Sequence, residues 1–145
     1  MQLATVVDSM VKEHSELHTR LGEWEDMLER LTGGSFHHSQ LALEQLWRLV
    51  PYFEEELPRH FRHEEADLYP LLKEGHPNSA TVLTRFSTEH ADLLRQWTSY
   101  RTELLYSEAV GETHRLRELG FELIARLRQH MQDEELELMA LARQN

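Results

Sequence analysis

An imidazole and a carboxylate one helical turn apart, on a stripe that is otherwise apolar, occur twice in this chain. His60-Phe61-Arg62-His63-Glu64-Glu65-Ala66-Asp67-Leu68 aligns with His130-Met131-Gln132-Asp133-Glu134-Glu135-Leu136-Glu137-Leu138, which gives the frame HxxxEEx[DE]L in both halves. A shorter frame also recurs: Glu13-His14-Ser15-Glu16-Leu17 and Glu89-His90-Ala91-Asp92-Leu93. Residues four apart on an α-helix differ by about 40° of rotation and about 6 Å of rise. His60 and Glu64 therefore point the same way, as do His130 and Glu134. His60 and Glu64 are in register with Leu57, Leu68 and Leu71, where a soluble helix buries its apolar face. Burying a neutral polar group without a partner costs roughly 2–7 kcal/mol, and a charge costs more. Whatever this sequence folds into must supply these side chains with partners.

Hydrophobic spacing predicts four helical blocks, from about Gln2 to Leu31, Ser39 to Lys73, Ser79 to Ser107 and Gly111 to Ala142. Thr32-Gly33-Gly34-Ser35 and Gly75-His76-Pro77-Asn78 punctuate the first two. Pro51 and Pro58 fall inside the second block, where each removes a helical donor, so a kink or a π-bulge is expected there, close to His60. Four helices with short connections make an all-α, antiparallel up-down four-helix bundle, most economically one domain over residues 1–145.

Composition narrows the function. The chain carries a formal net charge of −11 with His neutral, which argues against nucleic acid or an anionic membrane surface as the main partner. It has no cysteine, so thiolate metal sites and iron–sulfur clusters are excluded. No basic leader or membrane-length apolar run is visible, and a cytoplasmic location is the expectation.

Any one histidine here is ordinarily a satisfied core or surface group. Six residues in duplicate frames, all on apolar stripes, are better explained by a metal centre: His14, His60, Glu64, His90, His130 and Glu134. In a bundle, inward polar positions on four helices converge, and two metals can share carboxylates between them. Only nitrogen and oxygen donors are on offer, which favours iron or manganese over zinc.

The pattern resembles the hemerythrin-like, HHE cation-binding family over nearly the whole chain, with HFRHEE similar to the family's HFxxEE signature. The resemblance implies a four-helix bundle holding two non-haem irons, with manganese or zinc less favoured. It assigns His14 and His60 to one iron, His90 and His130 to the other, and Glu64 and Glu134 as bridges beside an oxo or hydroxo group. Oxygen-carrying members have a second histidine four residues away on the third helix, where this chain has Phe86 and Leu94 around His90. They also use HxxxxD on the fourth helix. Four His and two Glu is closer to the family's iron-repair and nitrosative-stress proteins.

His18, one turn from His14, is the candidate fifth histidine, with His63 behind it. His37, His38, His76 and His114 are expected in solvent near helix ends. Glu65 and Glu135 are expected at the surface or as acceptors behind the site. Leu17, Leu21, Phe86, Leu94, Trp97 and Leu127 are expected to wall a small-molecule pocket, while Tyr52, Tyr69 and Tyr100 are proton or electron donors only if they are not simply packing. The leading function is a diiron protein that binds or reacts with O2, peroxide or nitric oxide, as a peroxidase, a nitric-oxide-reactive or an iron-repair protein. The alternatives are oxygen binding or sensing without turnover and a metal-storing helical interaction module. The sequence does not fix the oligomeric state.

Overall fold

The computed structural model describes residues 2–32 and 36–143. Five helices carry the fold: α1 (Leu3–Glu29), α2 (Phe36–His63), α3 (Tyr69–Gly75), α4 (Ala80–Val110) and α5 (His114–Ala142). Among the described residues there is no strand. A π-helical turn, Glu64–Leu68, joins α2 to α3 so that the two form one rod, and a short 3-10 turn, Pro77–Ser79, leads into α4. Around the bundle α1 packs on α2 and α5, and α4 packs on the same two. This is the expected all-α bundle.

Several ends differ from the expected ones. α2 begins at Phe36, so Ser39 lies inside it rather than capping it. Gly111 ends α4 instead of starting the last helix. It sits at φ +78°, and its N–H donates to the Ser107 carbonyl at 2.8 Å, a left-handed stop that glycine adopts without a Cβ clash. The Gly33-Gly34 stop lies outside the described residues.

Pro51 and Pro58 are carried within α2, and the widened turn comes after them. Pro70 follows just beyond it, and the wide turn suits this residue. In a regular helix its ring would collide with the Ala66 carbonyl and leave that carbonyl without a donor. Instead the Tyr69 N–H reaches back five residues to the Glu64 carbonyl, and the extra residue makes room. The face beyond the turn rotates accordingly. Leu68, Tyr69 and Leu72 are buried, while Leu71 is only partly so.

The apolar core is in two parts. One contains Leu17, Trp24, Leu28, Phe53, Trp97, Tyr100 and Leu127. The other contains Val6, Met10, Leu68, Tyr69, Leu72, Phe86 and Leu138. His14, His60, Glu64, His90, His130 and Glu134 lie between them along every rod.

Two glycines test the packing in opposite directions. A Cβ on Gly120 would fall 2.5 Å from Leu28 Cδ1, whereas one on Gly22 meets nothing within 4 Å. Gly22→Ala is expected to stabilise the fold by up to about 1 kcal/mol through helix propensity. Gly120→Ala has the same propensity gain but forces Leu28 aside in a filled core, at a cost of about 1–3 kcal/mol. Urea denaturation of both variants should therefore give shifts of opposite sign.

Candidate metal centre

His14 comes from α1, His60 from α2, Glu64 from the first position of the π turn, His90 from α4, and His130 and Glu134 from α5. All six are at most 3% exposed. The structure brings together every one of the six residues picked out by the duplicated frames. They form two four-residue groups, His14, His60, Glu64, Glu134 and Glu64, His90, His130, Glu134, in each of which the donor atoms lie within 4.8 Å of one another. Both carboxylates belong to both groups.

The distances are those of donors facing a common centre. His14 Nε2 is 3.2 Å from Glu64 Oε2 and 3.5 Å from Glu134 Oε1. His60 Nε2 is 3.1 Å from Glu64 Oε2, His90 Nε2 is 3.0 Å from Glu64 Oε1, and His130 Nε2 is 3.1 Å from Glu134 Oε1. Adjacent ligands of an octahedral ion with bonds of about 2.1 Å stand about 3.0 Å apart. His60 Nε2, His130 Nε2, Glu64 Oε1 and Glu134 Oε1 are buried without a hydrogen-bond partner. Each such atom costs about 1–3 kcal/mol, and a cation accepting their lone pairs removes the penalty. The donor set fits a divalent metal with affinity for imidazole and carboxylate.

The other ring nitrogen of each histidine is held by a carboxylate. His60 Nδ1 donates to Glu13 at 3.1 Å and His130 Nδ1 to Glu89 at 2.6 Å. His14 Nδ1 donates to Glu135 at 3.0 Å and His90 Nδ1 to Glu65 at 2.6 Å. An ionised carboxylate only accepts, so the proton sits on Nδ1 and the Nε2 lone pair is left facing inward. Each acidic neighbour in the EH and EE dipeptides is turned about 100° from the ligand position. It thereby serves a histidine on an adjacent rod, not the one beside it in sequence. Glu65 and Glu135 are thus acceptors behind the site. Glu13 and Glu89 have the same role, which sequence reasoning missed although the repeated EH dipeptide carried the signal. Such partners orient the ring and raise its basicity. Glu89→Gln is expected to weaken metal binding about 10–100-fold while the fold is kept, as read by competition with a chromophoric chelator.

In the free chain, protons take the place of a cation. Burial opposes charge on His14 and His90, but hydrogen bonds to Glu134 and Glu64 outweigh it and hold both imidazoles up at about 10. Burial likewise opposes charge on Glu64 and Glu134, yet the surrounding imidazoles hold both carboxyls below their ordinary value. The sign of the pH dependence follows. Raised imidazoles contribute stability that is complete below about 6.5, their unfolded value, and is lost as pH rises through about 10. The melting temperature of the metal-free protein is expected to fall across that window. The metal-loaded protein, whose imidazoles are neutral, lacks this alkaline decline. Differential scanning calorimetry at a series of pH values checks both.

His18 does not join either group. It is exposed on α1, turned too far round the helix from His14 to enter the buried layer. Burial and the nearby His14 hold its imidazole below the ordinary value, against the pull of Glu135. His63 is exposed and stands 3.4 Å from Glu13. His114 is exposed and paired with Glu118 at 3.1 Å. His76 is less exposed than expected, because its Nε2 is enclosed without a partner. The side chains of His37 and His38 lie outside the described residues. Of the expected pocket wall, Leu94 is only partly buried, and Phe86 belongs to one apolar cluster while the other five residues belong to the opposite one.

Of the three tyrosines, Tyr100 accepts a hydrogen bond from Trp24 Nε1 at 3.0 Å, and Tyr52 lies under the Arg20 guanidinium at 4.8 Å. Tyr69 alone reaches the site. Its hydroxyl donates a short hydrogen bond to Glu134 Oε2, lies 3.4 Å from His90 Nε2, and its ring stacks on His90. Burial, with Glu134 and Glu64 nearby, pushes this phenol far above its ordinary value.

Residues 5–142 match the family model described as the hemerythrin HHE cation binding domain. No curated protein and no solved structure matches the chain.

Proposed function

The chain belongs to the hemerythrin HHE cation-binding family, and from that premise we propose that His14, His60, Glu64, His90, His130 and Glu134 hold two non-haem iron ions that bind or react with O2, peroxide or nitric oxide. The observation that carries this reading is the pair of four-donor groups sharing both carboxylates. Bound iron supplies the redox change and the open positions at which a small molecule binds. Each group offers four protein donors against the six an octahedral ion takes, so external ligands have room.

The chain's own residues do the rest. The four imidazoles and two carboxylates supply charge and orientation. Glu13, Glu65, Glu89 and Glu135 keep the protons on Nδ1. The apolar clusters on either side of the layer limit water, which favours a neutral, diatomic-sized or peroxide guest over a large polar substrate. No helix among the described residues is long and apolar enough to cross a membrane.

The test is anaerobic loading with ferrous iron, a metal count per chain, and visible spectra after separate exposure to O2, peroxide and nitric oxide. Two irons per chain and a spectral change with at least one of these are expected. Near-zero iron on folded protein would sink the reading and leave a helical interaction module. A persistent, reversible oxygen adduct would favour carriage or sensing over turnover.

A further inference from the structure

The two halves of the chain share the six ligand candidates but differ at positions that flank them. With His14 matched to His90, Ser9 corresponds to Arg85 and Met10 to Phe86. With Glu64 matched to Glu134, Tyr69 corresponds to Met139. Both differences bear on the site. The π turn rotates Tyr69 inward, where its hydroxyl donates to Glu134 Oε2 and lies 3.4 Å from His90 Nε2, the latter a separation like those between the ligand atoms. Tyr69 also forms part of the wall of a groove of about 730 Å3 between α3 and α4, so its ring closes the site on that side.

On the opposite side a cavity of about 200 Å3 runs between α1 and α2. Its lining includes the exposed Thr5, Ser9, His63 and Asp67 and, beneath them, the buried His60 and Glu64. In the other half Arg85 stands at the position that matches Ser9. Its guanidinium lies 4.9 Å from the Phe86 ring centre, bonded to Glu137 at 2.9 Å and within 3.7 Å of Glu89. A recess of about 160 Å3 between α4 and α5 touches His130, is not lined by Arg85, and reaches neither shared carboxylate.

Resting on the reading of the site as a diiron centre, we propose that the two iron positions are inequivalent: Tyr69 is a fifth protein ligand of the iron at His90 and His130, and external small molecules bind the iron at His14 and His60 through the cavity beside Ser9. Tyrosine is a known oxygen ligand for ferric iron. On coordination the phenolic O–H bond breaks, the oxygen binds iron, and the proton passes to Glu134 Oε2, which already accepts its hydrogen bond, and then to bulk water as that carboxylate is restored. No oxidant or reductant is consumed in that step.

The test uses the full chain, iron-loaded and air-oxidised. Resonance Raman spectroscopy should detect iron–phenolate modes together with a visible phenolate-to-iron charge-transfer band. Tyr69→Phe, which keeps the ring, should lose both at unchanged iron content, while Tyr106→Phe, at an exposed tyrosine, should keep them. Absence of the modes in the iron-loaded parent, or their survival in Tyr69→Phe, would overturn the ligand assignment while the diiron reading stands. Near-zero iron would remove both. For the entry side, Ser9→Arg puts at this position the residue the other half carries at Arg85 and should slow nitric oxide binding to the reduced protein about tenfold or more by stopped flow, with iron content intact. Unchanged rates in Ser9→Arg would overturn the assignment of the route.

Discussion

Glu64→Ala is expected to empty the chain of both metals and leave it helical. Glu64 Oε2 faces His14 and His60, and Oε1 faces His90, so one truncation removes a donor from each group at once. Loss of a residue that merely orients a ligand costs about 10–100-fold in affinity, and loss of a shared donor should exceed that range. The helices have other support, because the apolar clusters on either side of the layer do not include this side chain. The metal-free variant should nevertheless melt lower than the metal-free parent. Removing one partner from a buried charge pair typically costs about 3–5 kcal/mol, and His14, His60 and His90 all lose one here. Metal analysis after gel filtration, with far-ultraviolet circular dichroism on the same sample, decides it. Metal content equal to the parent's would refute the sharing of Glu64.

The second large effect separates stability from metal binding. Trp24 is 1% exposed and packs against Phe53, Trp97 and Tyr100 at ring-centre distances of 5.0, 5.7 and 4.8 Å. Trp24→Ala leaves a large void in one apolar cluster and deprives the Tyr100 hydroxyl of its donor. The expected loss is about 3–5 kcal/mol, or roughly 10–20 °C in melting temperature for a chain of this size. The six ligand candidates lie outside that cluster, so metal stoichiometry below the transition should match the parent's. A fall in stoichiometry in step with stability would mean that the two apolar clusters and the layer between them are one cooperative unit at the site.

Most of the candidate site was legible because its signal is periodic and duplicated. His14 and His90, His60 and His130, and Glu64 and Glu134 stand at helical spacing on apolar stripes, and burial of a polar group demands a partner wherever it recurs. What escaped depended on rotation about the helix axis. Glu13 and Glu89 serve histidines on adjacent rods, a relation that appears only once the helices are side by side. Tyr69 reads as the wrong face until the wide turn before Pro70 rotates it inward, and that turn lies beyond Pro51 and Pro58, where a kink or bulge is expected. His18 has the right spacing from His14, yet the buried stripe of α1 continues through Leu17 and Leu21 and leaves His18 exposed beyond its edge. Gly111 looked like a beginning and is an end, because a positive φ stops a helix as readily as loop composition precedes one.

The wide turn also gives the molecule a front and a back. Beyond Trp24 and Tyr100 the duplicated rods meet as near equivalents, Leu28 opposite Leu104 in the matching of the halves. Both departures drawn on above, Tyr69 against Met139 and Ser9 against Arg85, lie toward the end that α3 closes. One inserted backbone step thus gives a single pole of the repeat an inward phenol that its counterpart half lacks, while the opposite pole keeps the aromatic cluster around Trp24 as its foundation.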